Sequence, residues 1–183
     1  MTTSGTAPEA PGPQTIPADD PRRDLTVARA DDGDLPHLSI AGDTYTVLLS
    51  GEDTAGRYTL IDMHVPPGGG PPPHRHDFEE MFTVLDGELE VTFRGTTYVA
   101  RAGMTVNVPA NAPHQFRNSS AGAVRLLCVC APAGQDEFFA AVGDRVPGRT
   151  APPPDLDTAA QAARIAKARE LAPRYRTELL PPP

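Results

Sequence analysis

Between residues 24 and 131 the chain is cut repeatedly into short runs rich in Val, Thr, Tyr, Leu and Phe, divided by Gly, Pro, Asn and Asp. Apolar side chains recur at every second position within the runs. Tyr45, Val47 and Leu49 alternate with Thr44, Thr46 and Leu48; Leu89, Val91 and Phe93 alternate with Glu88, Glu90 and Thr92. A period of two is that of a strand with one buried face. Asp86-Gly87 stands between EMFTVL and ELEVTF and predicts a tight hairpin. Gly95 then separates ELEVTF from TTYVAR, Ala102-Gly103 precedes MTVNVP, and Gly122 to Ala131 reads as one long buried strand. Eight or more strands with no helical period between them leave an antiparallel sandwich or barrel.

The flanks differ. Five prolines fall within residues 1–21 among small and polar residues. Such a segment cannot bury enough surface to offset its ordering entropy, so residues 1–23 are expected to be a disordered tail. Beyond the strands, Gln135–Val142 can form two helical turns ended by Gly143. VPGRTAPPPD is a stiff connector, after which Asp157 can cap a helix from Thr158 to Leu171 that Pro173 terminates. That helix has only Ile165 and Leu171 as large apolar anchors. Alone it would be marginal in water, so it is expected to dock on the barrel or on a partner subunit. The division is a tail over 1–23, a β-barrel over 24–150, and a connector with a C-terminal helix over 151–183.

Composition narrows the function. The 183 residues carry 16 Lys+Arg against 24 Asp+Glu, a formal charge of −8. Nucleic-acid binding needs clustered cations that displace counterions from phosphate, and none is foreseen. No Trp and 5% aromatics argue against a base-stacking platform. No run approaches the ~20 apolar residues of a membrane span, and the N-terminus lacks the features of a signal peptide. Two cysteines, Cys128 and Cys130, cannot build a disulfide scaffold. The expectation is a cytoplasmic protein with no membrane partner.

Three of the five histidines lie in a pattern. His74 and His76 are two apart after a Gly-Pro-rich run, and Glu80 has the same parity. On an extended chain such residues project from one face, so a modest bend would set all three on one barrel wall. Imidazole with carboxylate suits a borderline divalent metal such as Fe, Ni, Co, Mn or Zn. His114, in VPANAPHQF, can add a ligand from a neighbouring strand.

These residues resemble the two motifs of the cupin superfamily. Gly68, His74, His76, Glu80 and Gly87 fit the first motif at every spacing. Gly103, Pro109, His114 and Asn118 fit the second, with Asn111 where the motif has Gly. Asn tolerates positive φ best among the other residues, so the turn can survive. The fold implied is all-β, a cupin double-stranded β-helix or jelly-roll barrel, here with a C-terminal helical extension. A narrower resemblance, to bacterial single-domain (monocupin) quercetinase-like proteins, rests on PPHRHDFEEMFTVLDGE, VNVPANAPHQFRN and ARELAPRYRTELLPPP. It implies one divalent metal held by His74, His76, Glu80 and His114, with nickel first and cobalt, manganese or iron as alternatives. It also implies a flavonol 2,4-dioxygenase reaction, in which O2 cleaves the central ring with release of carbon monoxide and a depside. Glu80 would then act as the base, on a small aromatic substrate together with O2, and a homodimer is the implied assembly. Two other functions stay open: a non-redox cupin enzyme (isomerase, dehydratase or polyketide-type cyclase), and a non-catalytic small-molecule binder.

Leu49, Met63, Met81, Phe116, Phe138 and Phe139 could line a substrate pocket or belong to an ordinary core, and parity does not separate the two. Glu79 has the opposite parity to Glu80 and reads as a solvated carboxylate. His64 reads as a barrel histidine with a satisfied ring rather than a neighbour of the metal. Arg75 faces outward, and His37 has no assigned role. Cys128 and Cys130 point to one face of their strand and are expected to pack as small apolar groups.

Overall fold

The computed structural model describes residues 15–181. The expected tail therefore lies largely outside the described residues; the part within, residues 15–23, forms no strand or helix and is almost wholly exposed. The chain then runs through β1 (His37–Ile40), β2 (Asp43–Leu49), β3 (Thr59–Val65), β4 (His74–His76), β5 (Glu79–Asp86), β6 (Glu88–Phe93) and β7 (Thr96–Arg101). It continues with β8 (Thr105–Val108), β9 (His114–Arg117), β10 (Val124–Ala131), α1 (Gln135–Val142), β11 (Asp144–Arg145), α2 (Thr158–Leu171), a 3-10 turn (Ala172–Tyr175) and β12 (Thr177–Leu179).

Two antiparallel sheets face each other. The larger has the order β11-β1-β2-β3-β10-β5-β8, the smaller β12-β4-β9-β6-β7. Alternation places Ile61, Met63, Phe82, Val84 and Leu126 from the first against Leu89, Val91 and Phe116 from the second, all in one buried core. Phe82 meets Phe116 edge to face across the gap, with ring centroids 5.3 Å apart. β10 buries only every second residue, Val124, Leu126, Cys128 and Cys130, so it is a one-faced strand rather than a wholly buried one.

The hairpin expected at Asp86-Gly87 does not form. β5 pairs with β10 and β8, whereas β6 pairs with β7 and β9. Gly87, at φ 82°, is instead a corner at which the chain leaves one sheet for the other. A Cβ there would lie 3.0 Å from Val124 Cγ2. The tight two-residue hairpins are at Ala41-Gly42 and Arg94-Gly95, where both residues of each pair have positive φ, as the primed turns require.

Both helices have the bounds that the sequence predicts. Gly143 ends α1, and the Asp157 carboxylate accepts the Ala160 N–H at 2.7 Å to cap α2. Docking of α2 is lighter than expected. None of its residues is buried and Ile165 stays half exposed. Leu171, packed on the core, and an Arg164–Asp144 ion pair hold it. The firmer attachment comes next, because β12 adds itself to the edge of the small sheet beside β4. That strand, β1 and β11 are not apparent in the sequence pattern.

Candidate metal centre

β4 carries His74 and His76 two residues apart, both buried, with the exposed Arg75 between them turned outward to Glu178. β9 lies beside β4 with His114 directly opposite His74. Glu80 does not share their wall. Asp77 and Phe78 carry the chain across to the large sheet, and Glu80 reaches back from β5. The expectation of one bent strand bearing all three ligands is thus corrected: three imidazoles stand on one sheet and the carboxylate on the sheet facing it. Phe78, stacked parallel on the His76 ring at 3.8 Å between centroids, fixes the crossing.

The four side chains converge. Glu80 Oε2 lies 2.9 Å from His76 Nε2 and 3.0 Å from His114 Nε2. One donor atom from each of His74, His76, Glu80 and His114 lies within 4.8 Å of the others, and all four residues are buried. The outer ring nitrogens are all engaged. Nδ1 of His74, His76 and His114 contacts the carbonyls of Pro72, Phe78 and Ala112 at 2.9, 3.0 and 2.9 Å. A carbonyl only accepts, so each Nδ1 carries a hydrogen and each Nε2 faces inward, where it can offer its lone pair to a cation whenever the ring is neutral. Three lone pairs and a carboxylate oxygen meeting in a dry pocket need a cation between them.

The ionisation pattern agrees. Burial opposes a charge on Glu80, but hydrogen bonds with His114 and His76 outweigh it and hold the carboxyl well below its ordinary range. Burial also works against a cationic His114, yet the Glu80 hydrogen bond and charge lift that ring above the usual imidazole value. His74 is pushed down to about 4, by burial first and then by the charge of His114. The donor set, three neutral imidazoles and one carboxylate, fits a divalent transition metal.

The second motif behaves as the sequence suggests. Asn111 takes φ 67°, its N–H donates to the His76 carbonyl at 2.7 Å, and it thereby ties the turn before His114 to the other ligand strand. Asn118 is fully buried and donates to the carbonyls of Val65 and Gly122. Glu79 is exposed and accepts from Asn107 and the Ala110 N–H, away from the cluster. His64 lies on the opposite face of β3 from Met63, near Arg149. His37 is buried with both ring nitrogens satisfied, by Thr46 Oγ1 and the Asp32 carbonyl. Met63, Phe116, Phe138 and Phe139 belong to the core; Leu49 is half-buried at the end of β2, and Met81 is exposed. Cys128 and Cys130 are in the core as expected, but they also stand beside Glu80, a placement set by the pairing of β10 with β5 and invisible in sequence parity.

Residues 61–130 match the family model of the cupin domain (Cupin_2), and the all-β double sheet is a cupin-type jelly roll. Among particular proteins, the chain is 36% identical over 76 residues to quercetin 2,3-dioxygenase of Bacillus subtilis (strain 168), covering 41% of this chain and 23% of that enzyme. It is 38% identical over 58 residues to the HTH-type transcriptional regulator PuuR of Escherichia coli (strain K12), covering 32% of this chain and 31% of the regulator. The match thus spans less than a third of either relative. A solved structure, a predicted oxalate decarboxylase of Thermotoga maritima, superposes with a TM-score of 0.53 at 20% identity over 58% of this chain and 98% of its own. That likeness is one of fold.

Proposed function

We propose that this chain is a metal-dependent dioxygenase that opens the central ring of a flavonol such as quercetin with O2, releasing carbon monoxide and a depside. The reading is carried by the convergence of three inward Nε2 atoms and one carboxylate oxygen at a single buried point. The identity with quercetin 2,3-dioxygenase over 76 residues supports it. When bound, a divalent ion, with nickel first by resemblance, supplies a Lewis acid that acidifies the substrate 3-hydroxyl and stabilises its oxyanion. His74, His76 and His114 would hold that ion through Nε2, kept in place by their bonds to Pro72, Phe78 and Ala112. Glu80 would accept the hydroxyl proton at Oε2. Leu49, Met63, Phe116, Phe138 and Phe139 would supply the apolar wall, with Phe116 on the same strand and face as His114.

A second reading, a ligand-binding domain without turnover, draws on the likeness to the regulator PuuR. Oxygen uptake decides between them. Protein loaded in turn with nickel, cobalt, manganese and iron is mixed with quercetin, and O2 and carbon monoxide are followed. Uptake with carbon monoxide release is expected. Quercetin binding without consumption would favour the second reading, and conversion of a substrate without O2 would place the protein among non-redox cupin enzymes.

A further inference from the structure

The oxygen of Glu80 that does not face the imidazoles has neighbours of its own. β10 lies against β5 with Cys130 opposite Glu80 and Cys128 opposite Phe82, so both thiols point to the inner face that Glu80 shares. Cys128 Sγ is 3.4 Å and Cys130 Sγ 3.9 Å from Glu80 Oε1, and the two sulfurs are 3.7 Å apart. Both are free and buried. A tetrahedral ion with metal–sulfur bonds of about 2.3 Å and a metal–oxygen bond of about 2.0 Å separates its sulfurs by about 3.8 Å and sulfur from oxygen by about 3.5 Å. The sulfur–sulfur separation of 3.7 Å and the Cys128–Glu80 separation of 3.4 Å match those edges to about 0.1 Å, and Cys130 Sγ, at 3.9 Å from Oε1, stands about 0.4 Å beyond its edge.

We propose that Cys128 Sγ, Cys130 Sγ and Glu80 Oε1 form a second metal site, thiolate-rich and tetrahedral, for a soft divalent ion of the zinc or cadmium class. It adjoins the imidazole centre and shares Glu80 with it, Oε2 serving one and Oε1 the other. Two sulfur ligands select against the harder ions that three imidazoles and a carboxylate accept. On binding, two metal–sulfur bonds form, both thiol protons leave to solvent, and no oxidation state changes. The fourth corner is left for water or a small anion. The protein would therefore take up two ions of unlike chemistry rather than one.

Cadmium tests this in the metal-free, full-length protein. Titration should give a thiolate-to-cadmium charge-transfer band in the ultraviolet that saturates at one equivalent. Cadmium NMR of the protein at two equivalents should show two resonances, one in the nitrogen and oxygen range and one shifted far downfield into the thiolate range. The chain has no other cysteine, so the band can come only from this pair. It should vanish in Cys128→Ser and Cys130→Ser and persist in His114→Ala. A single nitrogen-oxygen resonance with no thiolate band in the wild type overturns the proposal without recourse to any variant. A thiolate band without the nitrogen-oxygen resonance leaves it standing and removes the imidazole centre instead.

Discussion

His114 sits where two demands meet: its Nδ1 is tied to the Ala112 carbonyl and its Nε2 to Glu80. Replacing it with Ala removes a ligand and strands the carboxylate, so nickel bound by protein loaded with nickel alone, an ion suited to the imidazole centre, should fall well below one equivalent by elemental analysis. His76→Ala should do the same, and full occupancy in both folded variants would rule out the assigned ligand set. Glu80→Gln keeps the shape and removes the basicity. In metal-replete protein, quercetin-dependent oxygen uptake should drop on the order of 10²-fold or more. Equal rates would exclude Glu80 as the base and leave its place in the pocket untouched. Asn111 is a backbone matter. At φ 67° a β-branched side chain is strained, and Asn111→Val should cost about 1–3 kcal/mol in urea unfolding, whereas Asn111→Gly should be nearly neutral.

At the scale of elements, the ligand strand β4 is only three residues long and is steadied from both sides, by β9 and by β12. Thr177, Glu178 and Leu179 pair with His76, Arg75 and His74, and Arg176 pairs with the Asp77 carboxylate. Truncation after residue 151 removes α2 and β12 together. It should lower both the melting temperature and the metal affinity, and a homodimer that uses this segment would dissociate. An unchanged midpoint and affinity would show β4 to be self-supporting. The Gly-rich loop before β4 is tied down differently. Buried Asp43, at the start of β2, accepts the Gly70 N–H at 3.2 Å, and burial pushes its carboxyl up to about 7. The sign follows from linkage. Below pH about 4 both folded and unfolded chains hold this proton and Asp43 costs nothing. As pH rises from about 4 to about 7 only the unfolded chain releases it, so stability falls, by at most about 4 kcal/mol, and above that range the loss is constant. Urea midpoints of Asp43→Asn and wild type should therefore diverge in favour of the variant between pH 5 and pH 8. Parallel profiles would show that Asp43 ionises freely.

For the whole molecule, the two sheets divide the labour. The small sheet brings the imidazoles together by direct pairing of β4 with β9, while the large sheet delivers Glu80 and the two thiols through the pairing of β5 with β10. A jelly roll suits this because its inner faces meet at a fixed spacing, so a side chain from each can reach one point. The centre should accordingly be lost with the barrel and not before it: denaturant titrations read by metal release and by far-ultraviolet dichroism should coincide. Metal release well ahead of the loss of sheet signal would place the ligands on a separately mobile part. Among the described residues no helix is long and apolar enough to cross a membrane.

Local information was enough for the alternation that marks the strands, for the caps and lengths of α1 and α2, and for the positive φ at Asn111, because each depends on residues within one turn or one strand. His74 and His76 were legible for the same reason, as a short spacing in an extended chain, whereas Glu80 and His114 were legible only through the resemblance to the two motifs. Pairing was not. Asp86-Gly87 has the composition of a hairpin and forms a corner between sheets, since the partners that decide it, β10 and β9, lie more than twenty residues away along the chain. β12 offers only three residues of pattern, and its existence depends on an open edge at β4. Cys128 and Cys130 have the parity of core residues, and only the register of β10 against β5 brings them to Glu80. Periodicity tells which face a side chain takes; what stands opposite that face is settled by long-range hydrogen bonding and packing between sheets, which no short window contains.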